Sequence, residues 1–266
     1  MPESIPCPTD PRILPRGDGA AIAYHKIAGS TPGVVFVHGL VSDMTGGKAL
    51  ALEAYCRERG LSFVRFDCFG HGRSSGDFLD GTVGRWAEDT VAVLDELTEG
   101  PQVVVGSSMG GWVMLLAALA RPERIAGLVG VAAAADFTED LMWAKFTPDQ
   151  RRELQEAGRI ELPNDTPGEP PYRVSLGLIE EGRKRLLLRG PMEIRCPVRL
   201  IHGLEDADVP WRTSLRIQEK IVSDDVEVTL VKGGGHRLSG PADLARMLRV
   251  VEGVLGSCRL LSERTA

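Results

Sequence analysis

Residues 102–111 read Gln-Val-Val-Val-Gly-Ser-Ser-Met-Gly-Gly, an apolar run that passes directly into Gly-x-Ser-x-Gly centred on Ser108. A strand that turns sharply into a helix needs small residues beside the turn, because side chains there would strike the neighbouring backbone. Such a turn lifts the central hydroxyl clear and sets it at the positive end of the helix. Backbone N–H groups then face any negative charge that develops. Ser108 is the candidate nucleophile, and Ser107, at the x position, points elsewhere. The plainer reading is a glycine-rich turn with an incidental serine, and what separates the two is whether a base and an acid exist to serve Ser108.

A serine attacks poorly until a base takes its proton. Five histidines are available. His25 lies in an early strand, His38 and His202 end strands, and His71 sits in Phe69-Gly70-His71-Gly72-Arg73. Only His236, in Gly233-Gly234-Gly235-His236-Arg237 between the last strand and the last helix, has the loop position and chain order of a Ser…acid…His arrangement. An imidazole base needs a carboxylate to fix its tautomer. Asp206, four residues past His202 in the loop leaving a strand, is the choice, with Glu205, Asp208 and Asp136 as rivals. Transition-state charge needs donors already in place. The Met109 N–H follows the nucleophile, and the Leu40 N–H follows His38-Gly39 in the loop after an apolar strand, so these two are the expected oxyanion hole.

Other chemistries lack their residues. Cys7, Cys56, Cys68, Cys196 and Cys258 form no CxxC pair and no Cys/His metal spacing, so no metal site, no disulfide framework and a reducing, cytoplasmic-type compartment are expected. No Gly-x-x-x-x-Gly-Lys-Ser/Thr loop is present, and Gly106, Gly110 and Gly111 are already used by the turn, so no nucleotide and no organic cofactor is expected. A net charge of −6 argues against a nucleic-acid partner, since phosphate binding needs a concentrated cationic face. The uncharged stretch Gly100–Ala120 is long enough to span a bilayer. It holds Pro101, Gln102, Ser107, Ser108 and four glycines, and reads as buried strand, turn and buried helix. The opening MPESIPCPTDPRILPRGDG lacks an apolar stretch, so no signal peptide is expected there.

The elements that must carry these residues alternate. Strands are predicted at Ala20–Lys26, Gly33–Val37, Leu61–Phe66, Gln102–Val105, Ile125–Val131, Val198–Ile201 and Val226–Val231. Helices are predicted at Leu50–Arg59, Thr82–Glu99, Met109–Ala120, near Thr213–Ile221 and from Pro241. The second of these carries Val83, Trp86, Thr90, Leu94 and Leu97 on one stripe. Alternation of this kind implies right-handed crossovers and a mostly parallel sheet covered on both faces, with ligands at the carboxyl ends of the strands.

The chain has 266 residues, 43% hydrophobic and 26% charged, which is ordinary globular usage. Single α/β domains run to roughly 250 residues, so a small surplus has to be placed. It lies in Phe137–Met192, which interrupts the alternation and carries six of the seventeen prolines. The expectation is one catalytic domain over residues 1–266 with a lid at 137–192. Within the lid Trp143, Phe146 and Tyr172 are the candidate substrate-binding residues over an acyl pocket. An irregular leader is expected around Pro2, Pro6, Pro8, Pro11 and Pro15.

Taken together, these residues resemble the α/β-hydrolase family over roughly residues 18–256. Within the family, Val105-Gly106-Ser107-Ser108-Met109-Gly110-Gly111-Trp112, Ala120-Arg121-Pro122-Glu123, Gly130-Val131-Ala132, Gly46-Gly47-Lys48-Ala49-Leu50 and Leu200-Ile201-His202-Gly203…Asp206…Val209-Pro210-Trp211 are similar to the mitochondrial palmitoyl-protein thioesterase and acyl-glucuronide esterase type. The stretch 146–175 departs from it, and the leader lacks the Arg- and Ser-rich look of a transit peptide. The resemblance implies an eight-stranded, mostly parallel sheet with a small helical lid. It also implies a triad that falls on Ser108, Asp206 and His236, in agreement with the reading from chain order. The expected function is hydrolysis of a small-molecule or protein-bound acyl ester or thioester. The expected location is cytoplasmic, or mitochondrial if a transit peptide is removed. Carbon–carbon bond hydrolases and haloperoxidase-like esterases of this fold share such a triad, and a non-catalytic binding protein is the alternative from another class.

Overall fold

The computed structural model describes residues 10–162 and 171–265. Its main sheet has eight strands: β1 (Arg12–Pro15), β2 (Ala21–Ile27), β3 (Ser30–Val37), β4 (Leu61–Phe66), β5 (Gln102–Ser107), β6 (Ile125–Val131), β9 (Val198–Gly203) and β10 (Val226–Val231). They lie in the order β1-β2-β4-β3-β5-β6-β9-β10. β1–β2 and β2–β4 pair antiparallel, and the remaining pairs are parallel.

The central strands are apolar on both faces because both are covered. Successive side chains of one strand point to opposite faces. Val35, Val37 and Val104 therefore join a core with Trp86, Trp112 and Val113, from α2 (Val83–Leu97) and α3 (Met109–Ala120). Val34, Phe36, Val103 and Val105 join a second core with Leu52 and Val251, from α1 (Gly47–Glu58) and α7 (Pro241–Thr265). Thr82 caps α2 by accepting from Arg85 N–H. α6 (Arg212–Lys220) follows β9 and buries Ile217 in the first core. The register sets Val37 opposite Gly106, Ser107 opposite Val131, and Val131 opposite Ile201. The carboxyl ends of four neighbouring strands are thus brought level. Among the described residues no helix is long and apolar enough to cross a membrane.

Two expectations are corrected. The leader is not irregular throughout, since Arg12–Pro15 is an edge strand paired with Ala21–Tyr24. Its prolines disguise it, yet Pro15 stands last in an edge strand, where a missing N–H is tolerated. Pro2, Pro6 and Pro8, like Cys7, lie outside the described residues. α1 begins at Gly47 rather than Leu50, because glycines at 46 and 47 read as a break although the helix starts on them.

The stretch between β6 and β9 is not only helical. A five-residue π-turn (Thr138–Met142) and a short 3₁₀ turn (Trp143–Lys145) lead into α4 (Pro148–Ala157). The hairpin β7 (Arg159–Leu162)–β8 (Tyr172–Ser175) and α5 (Leu176–Arg183) follow. Thr147 and Gln150 form a reciprocal capping box on α4, and Gly158, at φ 73°, ends it. Pro163, Pro167 and Pro170 lie outside the described residues.

Candidate active site

Ser108 sits between β5 and α3 at φ 54° and ψ −118°. A non-glycine residue at positive φ carries strain of about 1–3 kcal/mol and persists only where its surroundings over-determine it. Here they do. Ser108 N–H donates to the Val131 carbonyl at 2.9 Å, and its own carbonyl accepts from Gly111 N–H at 2.8 Å and Ala134 N–H at 3.0 Å. The glycines are required by space: a Cβ on Gly106 would stand 2.3 Å from the Gly110 oxygen, and one on Gly110 would stand 2.2 Å from the Val37 oxygen.

From this turn the hydroxyl reaches a histidine 128 residues away. Ser108 Oγ is 2.9 Å from His236 Nε2, and His236 Nδ1 is 2.8 Å from Asp206 Oδ2. A carboxylate only accepts, so Nδ1 carries the proton and Nε2 is left free to take one from serine. The loop holding His236 fits because Gly203, at the end of β9, has no side chain: a Cβ there would stand 2.1 Å from the Gly234 oxygen. Lys48 at the start of α1 secures the next residue by donating to the Arg237 carbonyl.

The Asp206 side chain is wholly buried. Burial by itself would raise its pKa, but hydrogen bonds from His202, His236 and Val209 N–H outweigh it and hold the carboxyl well below the usual carboxylate range. Asp208 N–H at 3.0 Å and Val209 N–H at 2.8 Å both donate to Oδ1.

Among the described residues none of the rival acids hydrogen-bonds to His236. Asp208 is exposed and contributes its backbone, and Glu205 N–H donates to the Gly234 carbonyl. Asp136, wholly buried at φ 60°, accepts from Leu187 N–H at 2.8 Å and Leu188 N–H at 3.0 Å. One trio among the described residues has ligand atoms within 4.8 Å of one another, Asp206, Asp208 and His236. Two of its members are already paired with each other.

The expected oxyanion donors flank the serine. Met109 is the first residue of α3, and neither its N–H nor that of Leu40 has a protein acceptor among the described residues. A Cβ on Gly39 would meet the Ser108 Cβ at 3.3 Å, so Gly39 lies against Ser108.

His38 orients that peptide. Cys68 N–H donates to its Nε2 at 3.0 Å, which leaves the proton on Nδ1, and Nδ1 lies 2.7 Å from the Gly39 carbonyl. A trans peptide points its N–H opposite its C=O, so gripping the Gly39 oxygen aims the Leu40 N–H the other way. Burial lowers the His38 pKa and keeps the ring neutral. The chain order and strand-end position of His38 were visible in the sequence; its grip on this carbonyl was not.

The loop after β4 binds its neighbours. Asp67 accepts from Met44 N–H at 2.7 Å and Arg73 N–H at 2.8 Å, and buried Arg65 donates to the Met44 carbonyl at 3.0 Å. His71 packs 4.9 Å from the His38 ring and 5.4 Å from that of Trp86, with its pKa lowered by burial to about 4. His25 stays on β2, opposite Arg65.

The three aromatic candidates of the insertion stand apart from this cluster. Trp143 lies between the guanidiniums of Arg183, at 4.4 Å, and Arg151, at 5.1 Å, with its ring 6.2 Å from that of buried Phe146. Tyr172, the first residue of β8, is exposed. No hydrogen bond or ring contact among the described residues joins any of the three to Ser108, Asp206 or His236.

Comparison with known proteins agrees with this architecture. A model of the alpha/beta hydrolase family matches residues 34–247. The mitochondrial palmitoyl-protein thioesterase ABHD10 of Mus musculus is 40% identical over 243 residues, spanning 91% of this chain and 82% of that one. The Homo sapiens protein of the same name is 38% identical over 243 residues, spanning 91% and 79%. Among solved structures, the mouse alpha/beta hydrolase domain-containing protein 10 is similar with a TM-score of 0.87 at 38% identity, covering 94% of this chain and 99% of that one. A putative hydrolase from Agrobacterium vitis S4 gives a TM-score of 0.88 at 35% identity, covering 94% and 100%.

Proposed function

The chain belongs to the alpha/beta hydrolase family, and from that premise we propose that it cleaves carboxylic esters and thioesters through an acyl-serine intermediate formed on Ser108. The observation that carries the assignment of roles is the hydrogen-bonded chain from Ser108 Oγ to His236 to Asp206, at 2.9 and 2.8 Å. His236 Nε2 takes the hydroxyl proton as Oγ attacks the acyl carbon. The Leu40 and Met109 N–H groups hold the oxygen on which charge develops. His236 returns the proton to the leaving alcohol or thiol as its bond to the acyl carbon breaks. A water then attacks the acyl-serine, gives its proton to His236, and releases the carboxylic acid with Ser108 restored. Asp206 keeps the imidazole in the one tautomer that serves both halves.

Substrate preference is assigned to the insertion over residues 137–192, read as a lid within a single domain. Its aromatic residues, and relatives named as palmitoyl-protein thioesterases, support medium or long acyl chains on a thioester or ester. Trp143 and Phe146 then act by shaping the lid. Tyr172 is exposed and Trp143 partly so, which leaves both free to meet substrate, whereas Phe146 is buried. The cysteine pattern supports a cytoplasmic location, whereas those relatives are named as mitochondrial; fractionation of cells expressing the chain with its own N-terminus decides between them.

The test is fluorophosphonate labelling competed by acyl-thioesters, simple esters and acyl glucuronides of increasing chain length. Labelling should be lost in Ser108→Ala and competed best by the longer acyl thioesters. Wild-type hydrolysis by Ser108→Ala would remove the nucleophile assignment, and a series peaking at acetyl would remove the lid reading.

A further inference from the structure

The far side of Asp206 is also built. His202, at the end of β9, has a side chain with no exposure to solvent. Its Nε2 is 3.1 Å from Asp206 Oδ2, the oxygen that faces His236, and 3.0 Å from the Val209 carbonyl. A carbonyl oxygen only accepts, so Nε2 carries a proton and shares it between the two oxygens. Nδ1 is paired with Ser214 Oγ of α6 at 2.7 Å. Both ring nitrogens are used and the ring cannot turn without losing all three contacts.

We infer that His202 is a positioning residue for the acid of the relay, an inference that rests on the triad reading above. A carboxylate accepts about four hydrogen bonds, and Asp206 has four: two backbone N–H groups on Oδ1, and His236 and His202 on Oδ2. The other residues of β9 on the face of His202 are Val198 and Leu200, both buried in the first core. A buried imidazole carries a desolvation cost that a third aliphatic residue would not, and its place is explained by what it donates to. The titratable groups facing Asp206 are His202 from β9, His236 from the loop before α7, and Asp208 from its own loop.

Taking one donor from Oδ2 concentrates charge on the oxygen that holds the His236 proton. The imidazolium is then held more strongly, and the neutral base appears only at higher pH. His202→Leu should therefore move the acid limb of the kcat/KM profile upward by roughly half to one pH unit and lower kcat about tenfold, with KM for a p-nitrophenyl ester changed less than about twofold. His202→Gln keeps an N–H donor where Nε2 stands, and should return the limb to its wild-type position. Ser214→Ala leaves the strand intact and loosens the ring from its far side. It should shift the limb the same way by a smaller amount, and it carries the test if His202→Leu does not fold.

A wild-type limb in folded His202→Leu, or in Ser214→Ala where only that variant folds, overturns the inference. Equal losses in the Leu and Gln variants with no shift of the limb also overturn it, since that is the signature of packing alone. Asp206→Asn, measured alongside, separates the two readings. Wild-type turnover there removes the triad premise itself, whereas a collapsed Asp206→Asn with an unshifted His202→Leu removes only the positioning role.

Discussion

Ser108 and the insertion between β6 and β9 are held by different kinds of bond. Ser108 is fixed by three main-chain hydrogen bonds, one donated to Val131 and two accepted from Gly111 and Ala134, and by the absence of side chains at Gly106 and Gly110. The insertion is held by side chains. Phe146, Leu154, Ile160 and Ile179 are buried in the first core, Glu181 accepts from Gly84 N–H at 2.8 Å, and Arg216 pairs with Asp140 at 2.9 Å. Its own ends are joined by Arg183 with Glu139 at 2.7 Å, Arg189 with Asp140 and Asp136, and Asp136 with Leu187 and Leu188 N–H. Main-chain bonds tolerate changes in sequence and salt; half-exposed ion pairs are weak, screened and easily rewritten. The difference teaches that the geometry at Ser108 is set by the main chain, whereas the placing of the insertion depends on side chains that sequence changes can rewrite.

That contrast can be broken from either side. The largest effect is expected on the Ser108 side. His236→Ala should lower kcat for a p-nitrophenyl ester by roughly 10⁴-fold or more with little change in thermal midpoint, because the ring is partly exposed. A large loss of stability would mean that the site and the fold are not separable. Next comes the root of the insertion. Asp136→Ala orphans the buried Leu188 N–H, at about 1–3 kcal/mol, and the part-buried Leu187 N–H, and should lower the thermal midpoint while small-ester kcat changes little. Equal loss of small-ester turnover would join the two regions into one unit.

A smaller effect concerns pH. The folded-state pKa of Asp206 is depressed, so its contribution to stability is present above the unfolded value of about 3.9 and is lost as pH falls below it. The midpoint advantage of wild type over Asp206→Asn should shrink from pH 6 to pH 3, and a difference that stays constant would count against that pairing. The smallest effect is at the ion pairs. Arg189→Ala should cost about 0.2–1 kcal/mol and raise KM for a long-chain thioester by at most about fivefold, with the effect fading in high salt. A change in small-ester kcat instead would show that these pairs reach the reacting atoms.

Much of the site was legible because each of its residues answers to a local constraint. Ser108 was visible because only glycine fits at 106 and 110. His236 and Asp206 were visible because they follow strands at the end where a parallel sheet opens. Met109 and Leu40 were named from chain order as the N–H groups beside Ser108, which is where the proposed mechanism uses them. What was hidden depends on contacts across the chain. His202 reads as an ordinary strand-end residue until Ser214 and Val209 are placed beside it. The grip of Asp136 reaches 51 and 52 residues ahead, and nothing near Asp136 in sequence announces it. The hairpin β7–β8 did leave a trace, since buried Ile160 and Val174 alternate with charged or polar neighbours. Four-residue strands beside a proline cluster are too short for that alternation to stand out. The edge strand Arg12–Pro15 was masked in the same way by its prolines.

The clamp of Asp136 on Leu187 and Leu188 brings the two ends of the insertion together before the chain returns to β9. Whatever lies between those ends is, for the sheet, a closed loop. The entropy of closing a loop grows only with the logarithm of its length, about 0.6 kcal/mol for each doubling. By loop closure alone an insertion of another length would cost little, provided the clamp is kept and its core residues, such as Leu154 and Ile179, are replaced in kind. On the proposed reading of the site, a change of that kind in the insertion would alter the choice of acyl group while Ser108, His236 and Asp206 keep their places.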